Sequence, residues 1–171
     1  MKNIYMQTLK LAAVIALAFS MTSCLEKLPG DYILEEEGMK TLSDAEQTLT
    51  GIYTAYMSSA LYSGYLTLCP DIQSDLVYAV QGNSNTYGML WLWDIRSTNS
   101  EIEAVYAALY RVIGRCNFYL DKVDELRSGL TDDAEIQYLD YYTGEVYCAR
   151  ALAYSELIKC FCKAYDPATA D

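Results

Sequence analysis

Two long apolar stripes either side of one turn constrain this chain most. Ile102, Val105, Tyr106, Leu109, Ile113, Cys116, Leu120 and Val123 recur at spacings of three and four. Ile136, Leu139, Val146, Ala153 and Leu157 continue the pattern beyond Arg127-Ser128-Gly129. This is the spacing of a helix face turned to a core. A basic residue followed by glycine ends the first helix, expected to run to about Leu126. Thr131-Asp132-Asp133 then caps the next, which closes near Tyr165-Asp166-Pro167. Two long helices joined by a tight turn predict an antiparallel αα-hairpin. Such pairs stack into solenoids, because one pair cannot bury its own apolar face.

Within the last helix, residues 144–163 carry small side chains on one side and large ones on the other. Small residues admit a neighbouring backbone, and Tyr147, Tyr154, Leu157 and Phe161 fill the space between helices. Arg150 falls within the stripe Val146, Arg150, Ala153, Leu157 and needs a partner, since an unpaired buried guanidinium is costly. Glu145 and Arg150 lie about 140° apart round a helix, so each must find its partner elsewhere. Both are read as structural charges.

Upstream, Ser43-Asp44-Ala45-Glu46 matches a capping box. The helix it starts carries Ala45, Leu49, Ile52, Tyr53 and Tyr56 and ends at Ser63-Gly64. Residues 65–97 predict one long irregular loop region. Cys69-Pro70 breaks a helix there, residues 71–80 read as a short helix or extended chain, and residues 81–85 as a polar loop. Ser100 with Glu103 forms a second capping box.

Composition excludes several functions. The chain has no histidine, which removes Ser-His-Asp and Cys-His nucleophile systems and the commonest metal ligand. Its net charge of −11 disfavours nucleic acid and anionic membrane surfaces. Lys2 and Lys10 are the only charges ahead of Cys24, so a chain beginning at Cys24 carries −13. The 23 acids show no catalytic pairing, so no catalytic residue is nominated and the chain is read as a binding protein rather than an enzyme. Six cysteines without a CxxC pair make a metal site unexpected, and no cofactor is implied. If the hairpin turned at Gly129, Cys116 would stand level with Tyr142 and too far from Cys148 for a disulfide. Buried free thiols are the expectation.

Residues 1–23 read as a targeting segment, with a basic start and an apolar core at 11–19 too short to span a bilayer. Small residues ahead of Cys24 resemble a bacterial lipoprotein signal, which makes Cys24 the lipidation site. An ordinary secretory signal is the alternative. Residues 24–40 read as a solvated tether, with Pro29-Gly30 and three consecutive glutamates.

Both tryptophans sit in Tyr87-Gly88-Met89-Leu90-Trp91-Leu92-Trp93-Asp94. Trp91 and Trp93, with Tyr87, Tyr78, Asn83 and Asn85, are the candidate ligand contacts. Aromatic faces stack on the C–H side of sugar rings, and amides satisfy hydroxyls. Packing of Trp93 against the start of the following helix is the competing use of that side chain.

Several of these stretches together resemble the SusD/RagB-type lipoproteins. Cys24-Leu25-Glu26-Lys27-Leu28-Pro29 looks like their mature start, and Asp44-Ala45-Glu46 through Leu49-Thr50-Gly51-Ile52-Tyr53 like their first helix. Ser74-Asp75, then Tyr110-Arg111-Val112-Ile113 with Asn117 and Leu120, fall in the same order. Gly144-Glu145-Val146-Tyr147 with Ala149-Arg150-Ala151-Leu152-Ala153-Tyr154 looks like their Glu-x-x-x-x-Arg-Ala-x-x-Tyr helix, with Gly144 in place of a common alanine. The resemblance implies an all-α fold of tetratricopeptide-like antiparallel helix pairs. Members are much longer, so residues 41–171 would be the N-terminal part of an incomplete superhelical domain. It also implies a palmitoylated lipoprotein on the exterior of the bacterial outer membrane. Such a protein captures glycans or other nutrients for a SusC-like TonB-dependent transporter. A helical scaffold or adhesin lipoprotein that binds a protein partner is the alternative.

Overall fold

The structure is a computed structural model that describes residues 38–78, 80, 82 and 87–168. The signal segment, Cys24, residues 24–37 of the tether, Asn83 and Asn85 lie outside the described residues. Among the described residues the fold is all-helical: α1 (Leu42–Tyr56), α2 (Tyr65–Gln73), α3 (Gly88–Trp91), α4 (Ser100–Gly129) and α5 (Asp133–Phe161). None of these helices is long and apolar enough to cross a membrane.

α4 and α5 form the hairpin expected from the two stripes. Arg127 meets Asp140, Asn117 meets Arg150, and Tyr106 meets Phe161. Each step along α4 is matched by an equal step back along α5, so the pair is antiparallel. α1 lies against both. Tyr53, Tyr56 and, just beyond the helix, Tyr62 reach Glu145, Ala149 and Glu156 in rising order, so α1 runs parallel to α5. Arg115 of α4 donates to the carbonyl of Gly51 on the third seam. The core between the three helices holds Leu49 and Ile52 of α1, Leu109, Val112, Cys116 and Tyr119 of α4, and Leu139, Val146 and Ala153 of α5.

The observed register places Cys116 level with Ala151, not Tyr142, because an extended Leu130 and the Asp132 cap move the turn beyond Gly129. Cys148 is therefore closer along the axis than the turn position suggested. Cys116 faces the core and Cys148 faces solvent, and both are free. Cys69 is also buried, whereas Cys160 and Cys162 are exposed, so the expectation of buried thiols holds for two of the five described.

Helix boundaries moved where a local bond outcompeted the expected cap. Thr41, not Ser43, caps α1. Its hydroxyl accepts from Asp44 N at 3.2 Å, while Asp44 Oδ2 accepts from Thr41 N at 2.8 Å. Ser43 instead accepts from the Gln47 amide. Met39, assigned to the tether, is buried in the core. α1 stops at Tyr56 rather than Gly64, and residues 57–64 fold into a turn that buries Leu61. Gly64 closes that turn: a Cβ there would collide with the Ser59 carbonyl oxygen.

The region 65–97 is less irregular than expected. Pro70 sits inside α2 and forgoes one amide donor. Burial of Leu66, Cys69 and Ile72 on one face outweighs that loss. The box between Ser100 and Glu103 does not form. Asn99 is the N-cap of α4, its side chain accepts from Arg96 N, and Ser100 bonds Glu101. α4 runs on to Gly129, and α5 ends at Phe161, short of Pro167.

The large side chains of 144–163 divide. Leu157 is buried, but Tyr147, Tyr154 and Phe161 are exposed. They lie roughly 60–120° round α5 from Val146 and Ala153, on a flank where Phe161 meets Tyr106 of α4 edge-on. Gly144 admits no neighbour, since a Cβ there would meet open space. Close approach is instead provided by Ala149 and Ala153, both buried.

Candidate functional site

The sequence candidates gather on the segment between α2 and α4. Leu90 anchors it: α3 buries this side chain completely against Cys69 and Ile72 of α2, forming a second small core. Tyr87 stands at the start of α3 with its ring edge-on to Tyr65, centroids 5.9 Å apart. Beyond α3, Asp94 N bonds the Met89 carbonyl and the Asp94 carboxylate holds Arg96 through two bonds of 2.7 and 2.8 Å. Asp75, Tyr87 and Trp93 all have φ of 60°, a conformation that side-chain-bearing residues adopt at a cost.

This backbone holds Leu92, Trp93 and Ile95 outward, together with Leu76, Tyr78 and Val80 from the preceding turn, all exposed. Trp93 is 62% exposed. Trp91 is 38% exposed. Tyr78 is the most open at 77%, while Tyr87 is half-buried. Tyr87, Trp91 and Trp93 therefore belong to one structured element.

Glu145 and Arg150 both find partners on other helices. Glu145 Oε2 accepts from the Tyr53 hydroxyl at 2.6 Å. Arg150 Nη1 donates to Asn117 Oδ1 at 2.9 Å, and its guanidinium lies 5.4 Å from the centre of the Tyr147 ring.

A second concave feature was not anticipated. Tyr53, Tyr56 and Tyr62 line a cleft of about 370 Å³ with Glu145, Cys148, Ala149 and Leu152. Tyr56 and Tyr62 stand 5.8 Å apart and tilted. Burial, helped by Glu156, pushes the Tyr62 phenol up to about 12. The hydrogen bond to Glu145 raises that of Tyr53. Behind Tyr62, Glu156 is the one buried acid among the described residues and is held by Lys159 Nζ at 2.7 Å. The sequence signal was the pair Tyr53 and Tyr56, three apart on α1. The contribution of Tyr62 depends on the turn that replaced the end of that helix.

No protein-family model, curated protein or solved structure matches this chain.

Proposed function

We propose that this chain is the helical, nutrient-capturing part of a SusD/RagB-type lipoprotein. It takes up a glycan or related nutrient at the cell surface and passes it to a TonB-dependent SusC-type transporter. The observation that carries the reading is the exposed aromatic segment Tyr78, Trp91 and Trp93 on a strained but anchored backbone beside a three-helix core. Open aromatic faces fixed in position suit stacking on sugar rings, because little side-chain freedom is lost on binding. The finer architecture, tetratricopeptide-like pairs stacked into a superhelix, is supported by the α4–α5 hairpin and by the aromatic flank left open along it. Cys24 is the anchor in this reading, through acylation, and Glu145 and Arg150 hold helices together.

Affinity electrophoresis of the full chain in gels containing polysaccharides tests the reading. Retardation by at least one glycan, abolished by Trp91→Ala or Trp93→Ala without loss of helicity, is the expected result. No retardation by any glycan would sink it. The anchor is tested by Cys24→Ala, which should move the protein from the membrane fraction to the soluble one.

A second reading, a scaffold that binds a protein partner, is favoured by Tyr106, Tyr110, Tyr154, Ile158 and Phe161. These exposed side chains form a stripe along the α4–α5 seam. Co-purification of a protein lost on Tyr154→Glu, with glycan binding absent, is its signature.

A further inference from the structure

We propose that the cleft between α1, the 57–64 turn and α5 binds a small alkylammonium cation, with three tyrosines as its walls and the Glu145 carboxylate as counter-charge. The inference goes beyond the glycan reading and rests on different residues.

The argument starts from the donors. Tyr53 donates to Glu145 at 2.6 Å, Tyr56 to the Ala149 carbonyl at 2.6 Å, and Tyr62 to Glu156 at 2.9 Å. Every phenol hydroxyl in the wall is already engaged inside the protein. Apart from the weak donor Cys148, the cleft offers acceptors and carbon: phenol lone pairs, a carboxylate, ring surfaces and Leu152. A neutral polyol would bring oxygens that need donors and would find almost none. An anion would meet Glu145. A cation clothed in methyl groups needs no acceptor beyond the carboxylate, and aromatic rings attract it through their quadrupoles.

Charge points the same way. Among the described residues no lysine or arginine pairs with Glu145. The nearby ammonium of Lys159 is held by Glu156. The cleft volume of about 370 Å³ lies within the range of small-molecule sites, about 300–1,000 Å³. Its rings are also open to receive a ligand, with Tyr53 48% and Tyr62 43% exposed.

Cys148 lines the cleft and reports on occupancy. The test is alkylation of the folded full chain by iodoacetamide, read by peptide mass spectrometry, with Cys160 and Cys162 as exposed references. Tetramethylammonium chloride should slow modification of Cys148 several-fold and leave Cys160 and Cys162 unchanged. Neopentyl alcohol, its neutral counterpart, should not, with ionic strength held constant by sodium chloride. Glu145→Gln should raise the concentration for half-protection about fivefold, since it removes the charge and keeps an acceptor for Tyr53. Tyr62→Phe should retain protection and Tyr62→Leu should lose it, with helicity of each variant checked by circular dichroism. Equal protection by the neutral alcohol, no protection by the cation, or protection unchanged in Glu145→Gln would each overturn the proposal.

Discussion

The hydroxyl of Tyr56 donates to the carbonyl of Ala149 at 2.6 Å across the buried seam between α1 and α5. That carbonyl lies mid-helix and can accept the α5 ladder bond as well, so the phenol adds a second bond without breaking the first. Both residues are buried, so water cannot replace the contact. Tyr56→Phe keeps the ring and removes only the hydroxyl. We expect a loss of about 1 kcal/mol, measured by urea denaturation. Tyr53→Phe breaks a bond of equal length to Glu145, but at an exposed site, and should cost clearly less. Equal losses for the two would show that burial of the seam is not what gives the Tyr56 bond its weight.

Alkali should loosen the same seam. The Tyr62 phenol is raised from its ordinary 10.0 up to about 12, first by burial and then by Glu156. The folded state thus holds the proton more tightly than the unfolded chain. The stabilisation is complete below pH 10 and is lost as pH rises through about 12. Burial raises Tyr56 in the same direction. The urea midpoint should therefore fall between pH 10 and 12, and Tyr62→Phe should flatten the fall. A midpoint equally steep in the variant would assign the transition to other groups, of which the buried thiol of Cys69, raised to about 11, is one.

Two glycines should respond with opposite sign to the same substitution. Gly64→Ala forces a Cβ onto the Ser59 carbonyl, a backbone atom that cannot swing aside. The cost should be about 1–3 kcal/mol. Gly144→Ala places a methyl group in open space within α5 and should stabilise by about 0.5–1 kcal/mol. Thermal denaturation of the two variants reads both signs. Stabilisation by Gly64→Ala would mean that the 57–64 turn relaxes freely and is not the fixed wall of the cleft.

Legibility in the sequence followed range. The α4–α5 hairpin was readable because its stripes are long and its turn carries its own stop and start signals. The face of α1 was readable for Ala45, Leu49, Ile52 and Tyr56. Tyr53 read as part of that face, but it meets a carboxylate on another helix at the surface, and periodicity does not encode that partner. Pro70 misled because the sequence shows the lost donor and not the three side chains buried around it. Trp91 and Trp93 were findable as an aromatic cluster, and the segment that carries them is anchored by Leu90 of α3, buried against α2. The tyrosine cleft was hidden, since it requires α1 to end at Tyr56 and the chain to turn back with Tyr62.

Arg150 tests whether a charge within an apolar stripe holds a helix pair together. Its guanidinium reaches Asn117 of α4 and covers the Tyr147 ring on its own helix. Both contacts lie at the edge of the core, where water can partly compensate. Arg150→Met keeps most of the aliphatic bulk and removes the donors, and Asn117→Ala removes the acceptor. Each single change should cost about 0.5–1.5 kcal/mol. If the Asn117 bond is the main contribution of Arg150, the double variant should cost little more than either single one, with a coupling of at least about 0.5 kcal/mol. Additive losses would instead assign the effect of Arg150 to the Tyr147 ring. The same pair of variants should leave alkylation of Cys148 in the tyrosine cleft unchanged, because that cleft opens on the opposite flank of α5, toward α1.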